Sequence, residues 1–410
     1  MTVIAGKALV APAVGAPFEL QDVVIDPARL GPEEVVVKFK ATGICHTDVS
    51  VWKGLLPGTF PCILGHEGAG TIAALPPAYR GAFQVGDTVL CTFNSCGACN
   101  LCKDGYPAGC DKFLLMNILC QRSDGSAIKS TTKDDKELVS GFFGQSSFTS
   151  HGVVQERCLA KVDASIPLDL VCSFGCGIQS GFGTVLNTLL PLAVPRTFAH
   201  LPSINDFGIP VSTPSAKAPQ QPHTLTVFGL GAVGIGAIVA GHLSKTRIQH
   251  IVAVDLIESR LELARKAGAT HVINAQGKTT EQIVEAVQAA SVNGQGSTLC
   301  VEATGVPAVL HNAIMSLAPR GRCALVGAPP PGLNLDAEIN HLLSFQKSVI
   351  PMLEGDSDPT IFIPYMIAQF QRGAFDIMKD LVKTYRPDEI AQAMEDAKSG
   401  QVIKPVIVWE

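Results

Sequence analysis

The apolar stretch at residues 225–243, LTVFGLGAVGIGAIVAGHL, decides how this chain of 410 residues folds. It contains no Lys, Arg, Asp or Glu and is nearly long enough to span a bilayer. Its glycines, Gly229, Gly231 and Gly234, instead have the G-x-G-x-x-G spacing of a turn between a buried strand and a buried helix. We therefore predict a strand, a glycine turn and a helix here, and we expect no membrane partner.

The residues that follow the glycine turn predict a dinucleotide site. The next strand, IVAVD at 251–255, ends in Asp255, at the distance from the turn where an acid contacts a ribose. The first glycine permits the tight turn, the second admits the pyrophosphate, and the third allows close helix packing. Asp255 is expected to accept hydrogen bonds from the ribose and to repel a 2′-phosphate, which favours NAD(H) over NADP(H). Two alternatives stay open: Asp255 as a helix N-cap, and Arg260 as a partner for a 2′-phosphate.

Strand–helix alternation continues after Asp255 and predicts a doubly wound parallel sheet. Each strand is followed by small residues or by a helical segment. The segments are the helix ESRLELARKAGA (258–269) and the strands THVIN (270–274), TLCVEATG (298–305) and RCALVGAPP (322–330).

The two ends of the chain have a different pattern. Short β-rich segments such as EVVVKF (34–39) and QVGDTVLCT (84–92) predict a partly open antiparallel barrel over the first 180 residues. The tail predicts helices near 360–383 and 387–398 and a last strand that folds back onto this first domain. A proline-rich stretch at 195–222 is interpreted as a surface insertion, either without a role or forming a subunit contact or a pocket rim.

Composition narrows the class of protein. Apolar residues make up 47% and charged residues 16%, which is typical of a globular chain, and the length favours two domains. The net charge of −5 and the lack of a basic stripe argue against a nucleic-acid partner. The N-terminus has no signal-peptide pattern, so we expect a cytoplasmic location. There, thirteen cysteines point to metal binding rather than disulfides.

Four cysteines lie close together with the spacing C-x2-C-x2-C-x7-C. They are Cys96, Cys99, Cys102 and Cys110. Four thiolates satisfy a zinc ion and leave no open position, which indicates a structural metal. The glycines within this loop, at 97, 105 and 109, are expected to provide its tight turns. An iron–sulfur cluster and four incidental buried cysteines are the alternatives.

A second set of ligands is spread along the chain. Cys45 in GICHTD (43–48) and His66 in GHE (65–67) suit zinc, and three protein ligands with one open position define a catalytic site. Cys176 in GCGIQSG (175–181) is the best third ligand, although spacing alone leaves Cys172 open.

The residues beside these ligands predict the chemistry. Asp48 and Glu67 are expected to hold the ligands in place, and Glu67 is a candidate for transient metal binding. Zinc would act as a Lewis acid on an alcohol oxygen, Thr47 would relay the hydroxyl proton, and a hydride would pass to the cofactor.

Together these residues resemble the medium-chain, zinc-containing alcohol dehydrogenase family. The resemblance covers nearly the whole chain apart from 195–222. It implies that Cys176, not Cys172, is the third ligand, that Thr47 belongs to the proton relay, and that Arg260 lies near the adenosine ribose. It also implies that His46 and Lys404 contact the pyrophosphate. The blocks that carry it are GICHTD, GHEGAG, CGACNLC with Cys110, GCGIQSG, GLGAVG and AVDLIESRLELARKAGAT.

The resemblance implies the domain plan as well. Residues 1–178 and 354–410 are expected to form a GroES-like β-barrel catalytic domain, with a structural-zinc lobe at about 94–112. Residues 179–353 are expected to form a Rossmann domain with a doubly wound parallel sheet. Each chain is expected to bind two zinc ions and NAD(H), and to assemble as a homodimer or homotetramer.

Within the family the chain looks most like the aryl- or benzyl-alcohol dehydrogenase branch. FFGQSSF (142–148) and LEGDSDPTIFIP (353–364) support this assignment, together with GCGIQSG. Two departures matter. Ser50 stands where many members have the histidine that ends the proton relay, and Ile350-Pro351 stands where relatives of this branch typically have Arg-Gly.

The leading functional hypothesis is reversible oxidation of a primary alcohol, aromatic or allylic, with NAD⁺, on benzyl alcohol or a specialised metabolite. Leu56, Thr92 and Phe143 are expected to line the substrate side. The alternatives are a carbon–carbon double-bond reductase on the same fold and a catalytically silent NAD-binding redox sensor.

Overall fold

The computed structural model describes residues 2–193 and 222–409. The predicted insertion at 195–222 therefore lies, except for Pro222, outside the described residues. The strands are β1 (Ile4–Ala11), β2 (Glu19–Ile25), β3 (Glu34–Gly43), β4 (Cys62–Ile63), β5 (Glu67–Ala74), β6 (Thr88–Cys91), β7 (Lys129–Thr132), β8 (Glu137–Val139), β9 (His151–Gln155), β10 (Leu159–Lys161), β11 (His223–Phe228), β12 (Ile248–Asp255), β13 (His271–Asn274), β14 (Ser297–Glu302), β15 (Leu317–Leu325), β16 (Ser348–Pro351), β17 (Val382–Tyr385) and β18 (Lys404–Val408).

The helices are distributed over both parts of the chain. They are α1 (His46–Trp52), α2 (Asn100–Lys103), α3 (Phe113–Asn117), α4 (Leu168–Val171), α5 (Gly177–Gly183), α6 (Leu190–Leu192), α7 (Ala232–Leu243), α8 (Glu258–Ala267), α9 (Thr280–Ala290), α10 (Pro307–Met315), α11 (Ile339–Phe345), α12 (Pro359–Gln371), α13 (Met378–Leu381) and α14 (Ile390–Ser399). Among the residues described, no helix is both long and apolar enough to cross a membrane.

Two sheets are built from the ends of the chain. Strands β1, β2, β7, β8 and β4 close into a small barrel, and β10, β6, β5, β3, β18 and β17 form a second sheet, in which β9 also pairs with β3. The prediction of a partly open antiparallel barrel was wrong in one respect. The small barrel closes because β4 pairs with β1 on one side and, in parallel, with β8 on the other. Strand β18 pairs with β3, so the tail folds back onto the N-terminal domain as expected.

The third sheet is the predicted doubly wound one. Its order is β13-β12-β11-β14-β15-β16, and every neighbouring pair is parallel. The stretch at 225–243 forms most of β11, the glycine turn and α7, with Leu225 and Val227 fully buried. The strand–turn–helix prediction is therefore confirmed, and the apolar character of this stretch comes from burial between sheet and helices.

The helix predicted at 360–383 is interrupted. Helix α12 ends at Gln371, and Gly373 has a left-handed backbone with φ of +85°. A left-handed glycine just beyond the last turn is a common way for a helix to end. The chain then forms the short α13 and enters β17, which the sequence pattern did not reveal.

Helix α5, at the predicted boundary between the two domains, packs closely against α7. A Cβ atom added to Gly181 would lie 1.7 Å from the carbonyl oxygen of Val233, and one added to Gly236 would lie 2.5 Å from that of Ile178. Only glycine permits such a close approach of two backbones. This contact matters for the site because Cys176 immediately precedes α5, whereas α7 begins at the glycine turn.

Candidate active site

A cavity lies between the two domains and connects the predicted metal and cofactor residues. Asp255 and Arg260 line it, and so do Cys45 and Cys176. The glycine turn after β11 forms part of the same wall. The cavity follows the carboxyl ends of the parallel strands, which is where ligands bind in sheets of this kind.

The three predicted zinc ligands Cys45, His66 and Cys176, which we call the distributed set, come together at the inner end of this cavity. The ligand atoms of Cys45, His66 and Cys176 all lie within 4.8 Å of one another. His66 is fully buried, and its Nε2 atom has no hydrogen-bond partner among the described residues. An unpaired buried nitrogen is costly unless it binds something. Two sulfurs and this nitrogen form the donor set of a zinc ion with one position left open.

Asp48 holds this arrangement from behind. It is fully buried, and its carboxylate lies 2.9 Å from His66 Nδ1. It also accepts hydrogen bonds from the backbone N–H groups of Gly65 at 2.9 Å and Cys45 at 3.0 Å. The carboxylate therefore places the ring proton on Nδ1 and turns Nε2 towards the two sulfurs.

The two cysteine thiols influence each other's ionisation. The neighbouring Cys176 lowers the pKa of the Cys45 thiol well below its ordinary value, although burial opposes the shift. Cys45, together with burial, raises the pKa of Cys176. A thiolate is the form that binds metal, so both thiols have to lose their protons when a metal ion binds.

The four-cysteine lobe is the second cluster of possible metal ligands. Its four ligand atoms lie within 4.8 Å of one another, and Cys96 Sγ and Cys102 Sγ are 4.0 Å apart. The backbone N–H groups of Ala98 and Cys99 donate to the Cys96 sulfur at 3.4 and 3.3 Å. Burial raises the pKa of Cys96, but these N–H groups outweigh it and lower that pKa to about 7. Four sulfurs without an open position fit a structural zinc ion.

The loop of the lobe turns at its glycines, as predicted. Gly97 and Gly105 have left-handed backbones, with φ of +65° and +86°. Gly109 also lies in a tight turn, the short 3-10 helix Pro107–Gly109, but without a left-handed backbone.

The glycine turn after β11 has the geometry of a phosphate-binding turn. Gly229 has φ of +87°, a Cβ on Gly231 would meet open space, and a Cβ on Gly234 would lie 1.9 Å from the Gly229 carbonyl oxygen. These positions fit the tight turn, the open approach and the close helix packing expected of the three glycines. Asp255 accepts a hydrogen bond from the N–H of Leu230 at 2.7 Å, so it also fixes the shape of the turn.

Of the two alternatives for Asp255, the helix N-cap was wrong, because the N-cap residue of α8 is Ile257, whereas Arg260 does lie beside the Asp255 carboxylate. Its other oxygen accepts hydrogen bonds from the N–H groups of Leu256 and Ile257, just before α8. Arg260 lies 4.0 Å from the same carboxylate, and its Nε is buried without a partner among the described residues. Asp255 and Arg260 thus stand together at the cavity wall.

Comparison with known proteins agrees with this geometry. Residues 31–168 match the alcohol dehydrogenase GroES-like domain, and residues 232–370 match the zinc-binding dehydrogenase family. The chain is 34% identical to geraniol dehydrogenase of Castellaniella defragrans over 99% of this chain and 98% of that protein. The chain belongs to the zinc-containing medium-chain alcohol dehydrogenase family.

Solved structures of relatives have the same fold as this alcohol dehydrogenase family member. The benzyl alcohol dehydrogenase from Acinetobacter calcoaceticus is 34% identical, with a TM-score of 0.83, over 99% of this chain and 100% of that one. An alcohol dehydrogenase zinc-binding domain protein from Burkholderia ambifaria is also 34% identical, with a TM-score of 0.85 and full coverage of both chains. The GroES-like and Rossmann architecture predicted from the sequence is confirmed.

The residues predicted for the proton relay lie on the cavity wall of this alcohol dehydrogenase. Thr47 and Ser50 both line the cavity, and Thr47 Oγ1 is 3.8 Å from Cys45 Sγ. Leu56 and Phe143 line it too. Thr92 does not, so its predicted place on the substrate side was wrong. It is fully buried and donates a hydrogen bond to the Gly175 carbonyl at 2.8 Å, which supports the loop that carries Cys176.

Lys404 has a partner that the sequence did not suggest. Its Nζ lies 2.7 and 3.0 Å from the two carboxylate oxygens of Glu67, and both side chains are buried. Burial raises the pKa of Glu67 and lowers that of Lys404, but Glu67 outweighs burial at Lys404, whose pKa is raised overall. Lys404 lines the cavity and is therefore still placed to approach a cofactor, but much of its charge is balanced by Glu67.

His46 lies on the cavity wall, as does Lys404, so the pyrophosphate contacts predicted for both stay predictions. Glu67 is not among the three groups whose ligand atoms converge. Its oxygens are held by Lys404 and by the Gly177 N–H, which donates at 3.2 Å. In this arrangement Glu67 supports the site from beside the metal ligands.

Sequence reasoning missed Glu354. This residue is 7% exposed and lines the cavity. Its Oε1 lies 4.0 Å from Cys176 Sγ and its Oε2 lies 3.5 Å from Ser180 Oγ. Burial raises its pKa to about 7. The only signal in the sequence was an acid within LEGDSDP, the segment that had supported the branch assignment without suggesting a role for any single residue.

Proposed function

We propose that this alcohol dehydrogenase oxidises a primary aromatic or allylic alcohol reversibly to its aldehyde, with NAD⁺ as the hydride acceptor. We further propose one zinc ion bound by Cys45, His66 and Cys176 and a second bound by the four-cysteine lobe. The observation that carries the proposal is the unpaired Nε2 of His66, which lies within 4.8 Å of two sulfurs that line the same cavity as Asp255.

The shape and chemistry of the cavity support the class of substrate. Close to Cys45, the wall is formed mostly by aromatic and aliphatic side chains, which favour an apolar alcohol. Relatives named for geraniol, an allylic alcohol, and for benzyl alcohol share this architecture. The wall residues are Phe18, Trp52, Leu56, Phe113, Leu114 and Phe143.

Each step of the proposed oxidation can be assigned to a chemical group at the site. Zinc, when bound, supplies a Lewis acid that favours loss of the alcohol proton. Thr47 Oγ1 would accept that proton while it donates its own, and Ser50 on the same wall would pass a proton on to water, because the relay histidine is absent. NAD⁺, when bound, would supply the acceptor for the hydride from the alcohol carbon. Asp48 keeps His66 oriented throughout, so no ligand has to rearrange.

The expected cofactor preference rests on Asp255. A carboxylate on the cavity wall repels a 2′-phosphate, and Arg260, 4.0 Å away, is already partly neutralised by it. We therefore expect turnover with NAD⁺ to exceed turnover with NADP⁺.

A substrate screen tests the proposal. Aromatic, allylic and aliphatic alcohols and their aldehydes are compared by following NADH absorbance, with metal analysis expecting two zinc ions per chain. Higher kcat/KM for aromatic or allylic alcohols supports the substrate class, whereas a clear preference for NADP⁺ or for short aliphatic alcohols contradicts it. Thr47→Ser and Thr47→Val provide a matched pair, since only serine keeps the hydroxyl that the relay requires.

The alternatives have less support. A double-bond reductase would not need the three converging ligands, and a silent sensor would not need Thr47 on the cavity wall. A Cys45→Ser variant with full turnover would favour the reductase. The homodimer or homotetramer, the cytoplasmic location and the role of the 195–222 insertion stay predictions.

A further inference from the structure

Glu354 is a buried carboxylate that the mechanism above does not use. It lies at the inner end of the cavity, between Cys176 and Ser180, three residues beyond the end of β16. Its two hydrogen-bond contacts to these residues are long, at 4.0 Å to sulfur and 3.5 Å to oxygen. Among the described residues, no lysine, arginine or histidine forms an ion pair with it.

The buried Glu354 carboxylate can therefore accept more hydrogen bonds than it does. A carboxylate can accept about four hydrogen bonds, and a polar group removed from water is costly unless it is paired. Besides Cys176 and Ser180, the Gln179 side chain lies beside Glu354, and hydrogen bonding by it partly offsets the burial that raises the Glu354 pKa. The Oε1 atom of Gln179 lacks a partner among the described residues. The Glu354 carboxylate is therefore available to a donor that enters the cavity.

The backbone around Glu354 adopts an energetically unfavourable conformation. Glu354 and Asp356 both have left-handed backbones with φ of +48°, a conformation that is unfavourable for residues other than glycine. Gly355 between them packs so closely on α5 that an added Cβ would lie 2.5 Å from the Gln179 carbonyl oxygen. Asn187 donates to the Gly355 carbonyl at 3.0 Å and fixes the turn. Unfavourable backbone geometry of this kind is often retained at binding sites.

The position of Glu354 along the parallel sheet indicates which part of a ligand can lie beside it in the cavity. A dinucleotide lies across the carboxyl ends of the strands with its pyrophosphate at the glycine turn after β11. Asp255 marks the adenosine side at β12, so the nicotinamide side runs past the ends of β14, β15 and β16. Thr304, Val326 and Met352, which line the cavity there, lead directly to Glu354 and Cys176.

We propose that Glu354 is a cofactor-binding residue that accepts a hydrogen bond from the amide N–H of the nicotinamide carboxamide. The inference rests on the proposed use of NAD(H). A carboxamide offers two N–H donors, and a carboxylate is a stronger acceptor for them than a neutral group is. The contact would fix the rotation of the nicotinamide ring beside the metal ligands.

The test compares cofactor fragments in the purified, zinc-loaded protein by calorimetry. The probes are NAD⁺, ADP-ribose, which lacks the nicotinamide, and 3-acetylpyridine adenine dinucleotide, in which a methyl ketone replaces the amide. For Glu354→Met we expect the Kd for NAD⁺ to rise roughly tenfold or more. The Kd values for ADP-ribose and for the acetylpyridine analogue should stay within about twofold. Glu354→Gln keeps an acceptor oxygen and should fall between wild type and Glu354→Met.

The controls separate this role from others. Asp111→Asn removes a different, exposed carboxylate from the cavity wall and should leave the ratio of NAD⁺ to ADP-ribose affinity unchanged. Equal weakening of NAD⁺ and ADP-ribose in Glu354→Met, or no weakening of either, overturns the inference. So does a loss of zinc without a change in that ratio, since Glu354 would then act on the metal. If wild type binds neither NAD⁺ nor ADP-ribose, the proposed cofactor itself is wrong, and the inference fails with it.

Discussion

The two clusters of possible metal ligands differ in how the chain builds them. The four-cysteine lobe comes from one loop, and three of its cysteines are only partly buried. The set of Cys45, His66 and Cys176 comes from three distant segments, and hydrogen bonds that the Asp48 carboxylate accepts support it from within the protein. The lobe has no open position for a substrate, whereas the distributed set opens onto the cavity.

The two clusters therefore report on different properties of the protein, the lobe on local folding and the distributed set on chemistry. Ligands that are close in sequence can form a metal site without the rest of the fold, so their spacing is easy to recognise but reports mainly on local folding. Ligands brought together by tertiary structure depend on the whole fold, and their arrangement determines the chemistry. If this division is correct, changes in the distributed set should affect activity, and changes in the lobe should affect stability.

The largest expected effect is that of Cys176→Ser on activity. Loss of a Lewis acid removes several kcal/mol of transition-state stabilisation, so kcat/KM should fall by about a thousandfold or more. Metal analysis should give one zinc ion per chain instead of two, with only a small fall in the thermal unfolding midpoint. Cys172→Ser is the matched control, because Cys172 is also buried but donates to the Asp169 carbonyl. If Cys172→Ser, and not Cys176→Ser, removed a zinc ion, the assignment would be reversed.

The next largest effect is expected for Cys102→Ser, which should lower the stability of the protein. The lobe lacks a large core of its own, so without the metal we expect its loop to open locally. Protease cleavage should appear within about 94–112, the predicted lobe, and the unfolding midpoint should fall by several degrees, at roughly 2–4 °C per kcal/mol. Cys120→Ser lies outside the cluster and serves as the control. Retention of both zinc ions in Cys102→Ser would contradict a structural site in the lobe.

The same division explains what the sequence could predict. The glycine turn, β11, α7 and the four-cysteine spacing are local patterns, and the structure has all of them. The choice between Cys172 and Cys176 needed a family resemblance, because both cysteines lie in one segment and only the fold determines which of them faces His66. The pairing of Lys404 with Glu67 and the approach of Glu354 to Cys176 join positions that are far apart in the sequence. No spacing rule reveals such contacts.

Asp48→Asn tests how far the distributed set depends on its support. The carboxylate holds His66 and two backbone N–H groups, and an amide offers only one acceptor atom for them. We expect a loss of 10–100-fold in zinc affinity or activity, the usual range for such supporting residues. Glu34→Gln is the control, because Glu34 is a buried carboxylate paired with Arg122 away from the cavity. That variant should lose stability but keep both zinc ions.

The smallest expected effect is that of Leu114→Ala on KM. It tests whether activity depends only on the distributed set. Leu114 lies in α3, just beyond Cys110, and lines the cavity although it is 58% exposed. Leu114→Ala should raise KM for a bulky aromatic alcohol a few-fold, with kcat and zinc content unchanged, because little of its apolar surface is removed from water. Leu101→Ala is the matched control, since Leu101 is an exposed leucine in α2 of the lobe but does not line the cavity. A rise in KM for Leu114→Ala alone would mean that α3, which directly follows the lobe, shapes the substrate wall, so that the chain just beyond the four cysteines contributes to specificity. Equal KM values in both variants would restrict this segment to a structural role.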